Sequence, residues 1–203
     1  WSITSFHSDI KINENGNVDI TETIVADFSN EAHRGIERIL PYKYANGKST
    51  HIYFNDAVNE NGNHWNVDTF RENGWLHIQM RTQDDSQREG LVTFVLNYRA
   101  ENVINFIDIS DEFFWNVNGT DWVVPTDEVT AQITLPKKIT PEDLRVKCIT
   151  GEYGETKSDC EWKIEDKETL TFSTNKPLNP YEGLSVVLGM PKDTIVKPTT
   201  AEK

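Results

Sequence analysis

The chain has 203 residues, which is enough for one large β domain or two smaller lobes, each with its own core. Its formal net charge of -13, without any basic cluster, argues against nucleic acid and anionic lipid headgroups as partners. The exposed carboxylates favour solubility and leave Ca²⁺ open as a ligand, and no other cofactor is expected.

Alternating apolar residues predict antiparallel strands along most of the chain. Residues 6–12 and 18–28 each alternate with a period of two, and Gly16 supplies the positive φ of the hairpin between them. Asn73 and Gly74 predict a second tight turn, between strands at residues 67–70 and 75–80. Residues 91–100 are apolar on both faces, which predicts a strand in the middle of the sheet system, covered on two sides.

Further short strands are predicted in the second half of the chain, at residues 103–107, 129–135, 146–150, 161–165, 170–174 and 184–190. Thr140, Pro141 and the acids after them predict a single helical turn. We therefore predict an all-β fold, an antiparallel β-sandwich of about a dozen strands with at most one or two short helical turns.

Residues 1–196 are expected to form one domain, because no flexible linker composition interrupts them. A division into two lobes near residue 125 is the alternative. Residues 197–203 are polar and lack apolar periodicity, which predicts a linker toward a membrane segment outside this sequence. We expect the isolated domain to be a monomer.

Cys148 and Cys160 lie close together in the sequence, and Gly151 and Gly154 between them permit a tight reversal of the chain. This arrangement predicts a hairpin disulfide, which would stabilise the fold by about 3 kcal/mol on the chain-entropy model. Two unrelated reduced thiols are the alternative. Metal binding by these cysteines is not expected, because no CxxC motif or adjacent histidine completes a ligand set.

Glu22 falls on the apolar face of the second predicted strand, where an ionised carboxylate needs a partner. The nearest basic residues in sequence are Arg34 and Arg38, and either guanidinium could bind the carboxylate through two hydrogen bonds. We predict a half-buried structural ion pair among these residues. An arginine that holds a ligand is the functional alternative.

Residues 111–122 combine three consecutive aromatic residues with several acids and a turn, a mixture that is typical of sugar-binding platforms. The candidate ligand-binding residues are Asp111, Trp115, Asn116, Asp121 and Trp122. In the alternative interpretation both indoles belong to the core. Asp111, Glu112 and Asp121 could also supply two carboxylates to a glycosidase-like site, but in such an acidic chain this grouping is close to chance.

Common catalytic motifs are absent from the sequence. It contains no GxSxG elbow, HExxH motif, P-loop or dinucleotide-binding glycine pattern, and no two histidines lie two to four positions apart. The sequence therefore assigns no catalytic residue and no metal site.

Several segments together resemble the N-terminal domain of the predicted membrane proteins grouped as domain-of-unknown-function family 2207. In order they are GNVDITET (16–23), HRGIERILP (33–41), FVLNYR (94–99), residues 111–122, LP (135–136) and EGLSVV (182–187). The resemblance implies a bacterial precursor with a signal peptide, this domain outside the cytoplasmic membrane, and transmembrane helices after it. It assigns no catalytic residues, and Glu37 departs from the usual pattern, in which an aromatic residue is more common.

Two functional hypotheses follow from the sequence. The first is a non-enzymatic extracytoplasmic domain, anchored through its parent chain, that binds an unknown protein or a cell-envelope component. The second is a domain that binds or cleaves carbohydrate, such as an envelope glycan, with the stretch from Asp111 to Trp122.

Overall fold

The computed structural model describes residues 1–44 and 47–197, and this part of the chain forms fourteen strands in three sheets and one 3-10 turn at Pro141–Asp143. The predicted all-β class with a short helical turn is therefore confirmed, with slightly more strands than expected. In chain order the strands are β1 (Ser2–Ile12), β2 (Val18–Asp27), β3 (Gly35–Pro41), β4 (His51–Val58), β5 (Asn66–Glu72), β6 (Trp75–Arg81), β7 (Leu91–Glu101), β8 (Ile104–Phe106), β9 (Ser110–Asn116), β10 (Val129–Thr134), β11 (Arg145–Gly151), β12 (Cys160–Ile164), β13 (Thr169–Thr174) and β14 (Gly183–Pro191).

The largest sheet has seven strands in the order β12-β13-β10-β1-β2-β7-β4. Its inner face follows from the period of two, because every second residue of β2 from Val18 to Ala26 is buried and the residues between them are only half-buried. The predicted hairpin joins β1 to β2, and Gly16 has a φ of 81° in its turn. One side of this sheet therefore faces the core, and the other side is largely polar.

Two smaller sheets cover this inner face, one with the order β11-β14-β9-β8 and one with the order β3-β6-β5. Arg38 on β3 contacts Glu22 on β2, and the ring of Trp115 on β9 lies 6.5 Å from that of Tyr98 on β7. The fold is thus a sandwich in which a seven-stranded sheet faces a layer that is divided into two sheets.

The strand at residues 91–100 does not occupy the predicted position. β7 lies between β2 and the edge strand β4, and Leu91 at its start is 68% exposed. Its outer-face residues Thr93 and Val95 are half-buried without a second layer over them, which β-branched side chains on a sheet surface tolerate. The middle of the sheet is β1, which pairs in parallel with β10, so the sandwich is antiparallel in every described strand pair except this one.

A disulfide joins Cys148 and Cys160, as predicted, but it does not close a hairpin. Cys148 lies on β11 at the edge of the four-stranded sheet, and Cys160 lies on β12 at the edge of the seven-stranded sheet. The chain between them does reverse tightly, through a bridge between Thr150 and Lys157. The bond therefore connects the two layers of the sandwich at one of their edges.

Buried apolar side chains from both sides of residue 125 belong to one hydrophobic cluster, which extends from Ile3 to Ile195. Apart from Lys197, the predicted linker at 197–203 lies outside the described residues. The candidate functional residues identified in the sequence lie on the strands that enclose the hydrophobic cluster, or on the segments next to those strands.

Candidate functional site

Glu22 is the charged residue that interrupts the apolar inner face of β2. Its side chain is 0% exposed, and Arg38 of β3, which is 1% exposed, reaches it from the facing sheet. Arg38 donates from Nε to Oε2 and from Nη2 to Oε1, each at 2.8 Å. Two parallel bonds of this kind make a strong and geometrically specific ion pair.

Other groups complete this buried cluster. The Tyr98 hydroxyl donates to Glu22 Oε1 at 2.6 Å, and Arg38 also donates to the carbonyl oxygens of Val117 at 3.1 Å and Ile39 at 3.0 Å. Burial lowers the pKa of the Arg38 guanidinium, but the charge of Glu22 outweighs it and raises that pKa above its ordinary value. Burial, and then the Glu22 charge, raises the pKa of Tyr98. The cluster therefore connects β2, β3 and β7 and is occupied by its own groups.

Arg34, the other arginine that the sequence offered to Glu22, lies elsewhere. It is 59% exposed and its Nη1 is 3.3 Å from Asp85 Oδ2.

Gly35 explains why β3 can lie so close to β6, because a Cβ atom at this position would be 1.7 Å from the Met80 carbonyl oxygen.

The stretch from residue 111 to residue 122 is divided between the core and the surface. Trp122, which is 7% exposed, donates from Nε1 to the Asn118 carbonyl oxygen at 2.9 Å, and Trp115 is 5% exposed. Neither indole offers an open ring face to a sugar, because both pack between the two layers of the sandwich. The stacking platform expected at Trp115 and Trp122 is therefore not formed.

The polar residues of the same stretch have internal partners. Asp111 is 0% exposed and accepts from the Ile195 backbone N–H at 3.0 Å, and Asn116 accepts from the Ser185 hydroxyl at 2.6 Å. Asp121 is half-buried, and burial raises the pKa of its carboxyl group against the opposing charges of Arg38 and His77. The five candidate residues thus do not converge on a single ligand site.

A groove does lie beside β9, and it is partly formed by this stretch. Its volume is about 230 Å³, and it continues into a recess of about 20 Å³ toward Arg38. Trp115 lines the groove, and its Nε1–H has no hydrogen-bond partner among the described residues. The Phe114 ring beside it is 41% exposed. The groove is lined by Tyr44, Lys48, Thr50, Val103, Asn105, Glu112, Phe114 and Trp115.

The groove carries one ammonium and one carboxylate. Lys48 Nζ donates to Asn105 Oδ1 at 2.6 Å, and burial lowers the pKa of Lys48 while Glu112 opposes this shift. Burial also raises the pKa of Tyr44. Sequence reasoning missed Tyr44 and Lys48, because they lie between β3 and β4 in a segment without apolar periodicity that no motif marks.

The edge of β9 also opens toward the groove, because the short strand β8 pairs only with residues 111–113. In the pairing with β14, Val117 donates to the Leu184 carbonyl oxygen, so the odd-numbered residues of β9 bond to β14. The main-chain groups of Phe114 therefore point to the other side, beyond the end of β8. Within residues 1–44 and 47–197, no backbone group outside the strands hydrogen-bonds to them.

No group of three or more His, Cys, Asp or Glu side chains is close enough to hold a metal ion in residues 1–44 and 47–197. Within the same residues, no helix has the length and apolar character that crossing a membrane requires.

Comparison with known families gives one match, which extends over residues 2–190. The matching family is described as predicted membrane protein (DUF2207) N-terminal domain. No curated protein matches the chain.

Solved structures share the fold at very low identity. Native leukotriene A4 hydrolase from Saccharomyces cerevisiae is 11% identical with a TM-score of 0.51, over 92% of this chain and 29% of the hydrolase. An M1 zinc metallopeptidase from Deinococcus radiodurans is 11% identical with a TM-score of 0.46, over 93% of this chain and 42% of that one. The chain therefore spans less than half the length of these enzymes, and the likeness to the yeast hydrolase concerns the fold alone.

Proposed function

Because the chain belongs to the predicted membrane proteins of the DUF2207 family, we propose that it is a non-enzymatic, extracytoplasmic domain that binds a partner protein in the groove beside β9. The observation that carries this proposal is the Nε1–H of the buried Trp115, which lacks a hydrogen-bond partner in the part of the chain that the structure describes, next to the exposed ring of Phe114. A buried donor without an acceptor is costly, and a ligand carbonyl would satisfy it.

The unpaired edge of β9 favours a protein segment as the occupant. An extended peptide can bond to the main-chain groups of Phe114 in the manner of strand addition, while its side chains contact the walls of the groove. The charges of Lys48 and Glu112 would then favour segments that carry complementary charges.

The disulfide supports the extracytoplasmic location. Bonds such as Cys148–Cys160 persist in oxidising compartments and are rare in the cytosol. The isolated domain is proposed to be monomeric, with its anchoring left to the rest of the parent chain.

Selection from a phage-displayed library of random peptides tests the proposal. Peptides enriched on the purified chain should bind roughly tenfold more weakly to Phe114→Ala, which removes a central aromatic contact. Trp115→Phe keeps an aromatic side chain and removes the Nε1–H donor, so it should weaken binding about fivefold. The matched control is Trp162→Phe, an indole that is 44% exposed on β12, the edge strand of the seven-stranded sheet, whereas β9 belongs to the four-stranded sheet.

Strand addition has its own signature in this experiment. Methylation of successive backbone nitrogens in an enriched peptide should reduce affinity at alternate positions only, because alternate amides face β9. Enriched peptides that bind Phe114→Ala as well as they bind the unchanged chain would refute the groove. A glycan array that gives binding sensitive to Phe114→Ala, with no enriched peptide, would replace the protein partner by a carbohydrate.

A further inference from the structure

A patch of exposed aliphatic side chains lies at one end of the sandwich. Ile107 is 41% exposed and Ile109 is 64% exposed, and both belong to the tight turn between β8 and β9. Val196 is 68% exposed and follows β14. The described residues contain five exposed large aliphatic side chains, and three of them lie at this end. Exposed aliphatic residues are therefore concentrated here.

The segment after β14 is held firmly against the turn. Lys192 Nζ donates to the Ile107 carbonyl oxygen at 2.8 Å and is 3.7 Å from Asp111 Oδ1. Asp111 Oδ2 accepts from the Ile195 backbone N–H at 3.0 Å. The buried Asp111 therefore fixes both strips of the patch relative to each other, and the exposed aliphatic groups are presented on a rigid support.

Two lysines surround an aromatic ring in the same place. Lys192 Nζ is 5.9 Å and Lys197 Nζ is 5.6 Å from the centre of the Phe106 ring. Lysine side chains beside aromatic and aliphatic groups are suited to a lipid–water interface. The apolar groups enter the acyl boundary there, and the amines contact lipid phosphates.

The charge of the patch differs from that of the whole chain. Near the patch, Lys137, Lys192 and Lys197 are matched in number by Glu14, Asp108 and Asp193, and the neighbouring β12–β13 turn adds three acids and two lysines, so this end is close to neutral whereas the whole chain carries -13 (the turn residues and their neighbour are Lys138, Glu165, Asp166, Lys167 and Glu168). The general repulsion between an acidic protein and anionic headgroups is therefore reduced at this end.

The geometry points to a lipid bilayer surface as the occupant of this patch, with the turn at Ile107 and Ile109 resting in the interface. Lys197 lies inside the patch, and the family is that of N-terminal domains of predicted membrane proteins, which favours a membrane surface as the occupant. This end of the sandwich faces the membrane and holds the domain in one orientation.

Quenching of tryptophan emission by brominated lipid tests the orientation. The chain, with six histidines added after Lys203, is held on vesicles of phosphatidylethanolamine and phosphatidylglycerol that contain nickel-chelating lipid and brominated acyl chains. The emission added by Ile109→Trp should fall to roughly half, because the side chain enters the acyl boundary. Leu91→Trp is the matched control, since Leu91 is 68% exposed and pairs with Asp27 at the far end of β2.

The control position is well separated from the patch. Val196 bonds to the β1–β2 turn beside Val18, and β2 runs from Val18 to Asp27, so Leu91 lies about 30 Å away at the usual rise per residue. Equal quenching at the two positions, or none at Ile109→Trp, would overturn the proposal.

A second comparison separates affinity of the patch from the effect of the tether. Adding Ile107→Ser and Lys197→Glu to the Ile109→Trp variant removes apolar area and reverses one charge, and it should abolish most of the quenching. Quenching that survives both changes would mean that the tether alone brings this end to the bilayer, and it would also overturn the proposal. Vesicles without phosphatidylglycerol show whether the amines recognise the anionic headgroup or the interface in general.

Discussion

Replacing Glu22 by glutamine should destabilise the domain strongly although it hardly changes the shape of the side chain. The substitution leaves the Arg38 guanidinium, which is 1% exposed, without its hydrogen-bonded counter-charge between the two layers. Removal of one partner of a buried ion pair typically costs about 3–5 kcal/mol. For a domain of this size, that free energy corresponds to a fall in Tm of roughly 6–20 °C.

The control is an exposed pair on the same strands. Asp19 on β2 accepts from Arg99 Nε on β7 at 2.8 Å, but the two side chains are 39% and 48% exposed. Asp19→Asn should therefore cost no more than about 1 kcal/mol. The two pairs have similar donor–acceptor distances, so the difference between the variants isolates the effect of burial.

Urea unfolding followed by circular dichroism provides the measurement, with the free energy of unfolding extrapolated to water for each variant. Tyr98→Phe, which removes one hydrogen bond to a charged group, should fall between the two variants at about 1.5–3 kcal/mol. A Glu22→Gln variant that unfolds within about 1 kcal/mol of the unchanged chain, or together with Asp19→Asn, would refute the structural role of the cluster.

Two further predictions concern the covalent link and the pH. Replacing Cys148 and Cys160 together by alanine should lower the free energy of unfolding by about 3 kcal/mol, because the sequence separation of 12 defines a short closed loop, and an unchanged urea midpoint would contradict this. Burial raises the pKa of Asp121 above 3.8, so the stability linked to its protonated form is present at low pH and is lost as the pH rises through the raised pKa. Asp121→Asn should consequently gain stability relative to the unchanged chain between pH 4 and pH 7, as measured by urea unfolding at both values; a constant difference would speak against it.

The period of two predicted the fold class and most strands, because burial on one face leaves a local trace in the sequence. β3, β4 and β9 were not predicted, and for β3 and β9 the reason is specific. Arg38 occupies an inward position of β3, and β9 has Asp111 inside and three aromatic residues in a row, so neither strand shows an apolar alternation. Which strands pair was harder to predict than where the strands lie, since the contact between β1 and β10 joins segments more than a hundred residues apart.

The candidate site was predictable only in part. Glu22 stood out as a charge on an apolar face, and the cost of burying it alone predicted an arginine partner, but the choice of Arg38 over Arg34 came only from the structure. The burial of Trp115 and Trp122 could not be read from their composition, because aromatic residues beside acids occur both in cores and in binding platforms. The groove depends on where β8 ends relative to β9, which only the tertiary structure determines.

The central place of β1 constrains how the domain can form during synthesis. Among the described strands β1 is synthesised first, yet its neighbour on one side, β10, follows only at Val129–Thr134. Until then one edge of the nascent sheet stays open and prone to pairing with other chains. Completion of the sheet must therefore wait for most of the polypeptide, and proteins that protect unfolded chains would have to cover that edge in the interval.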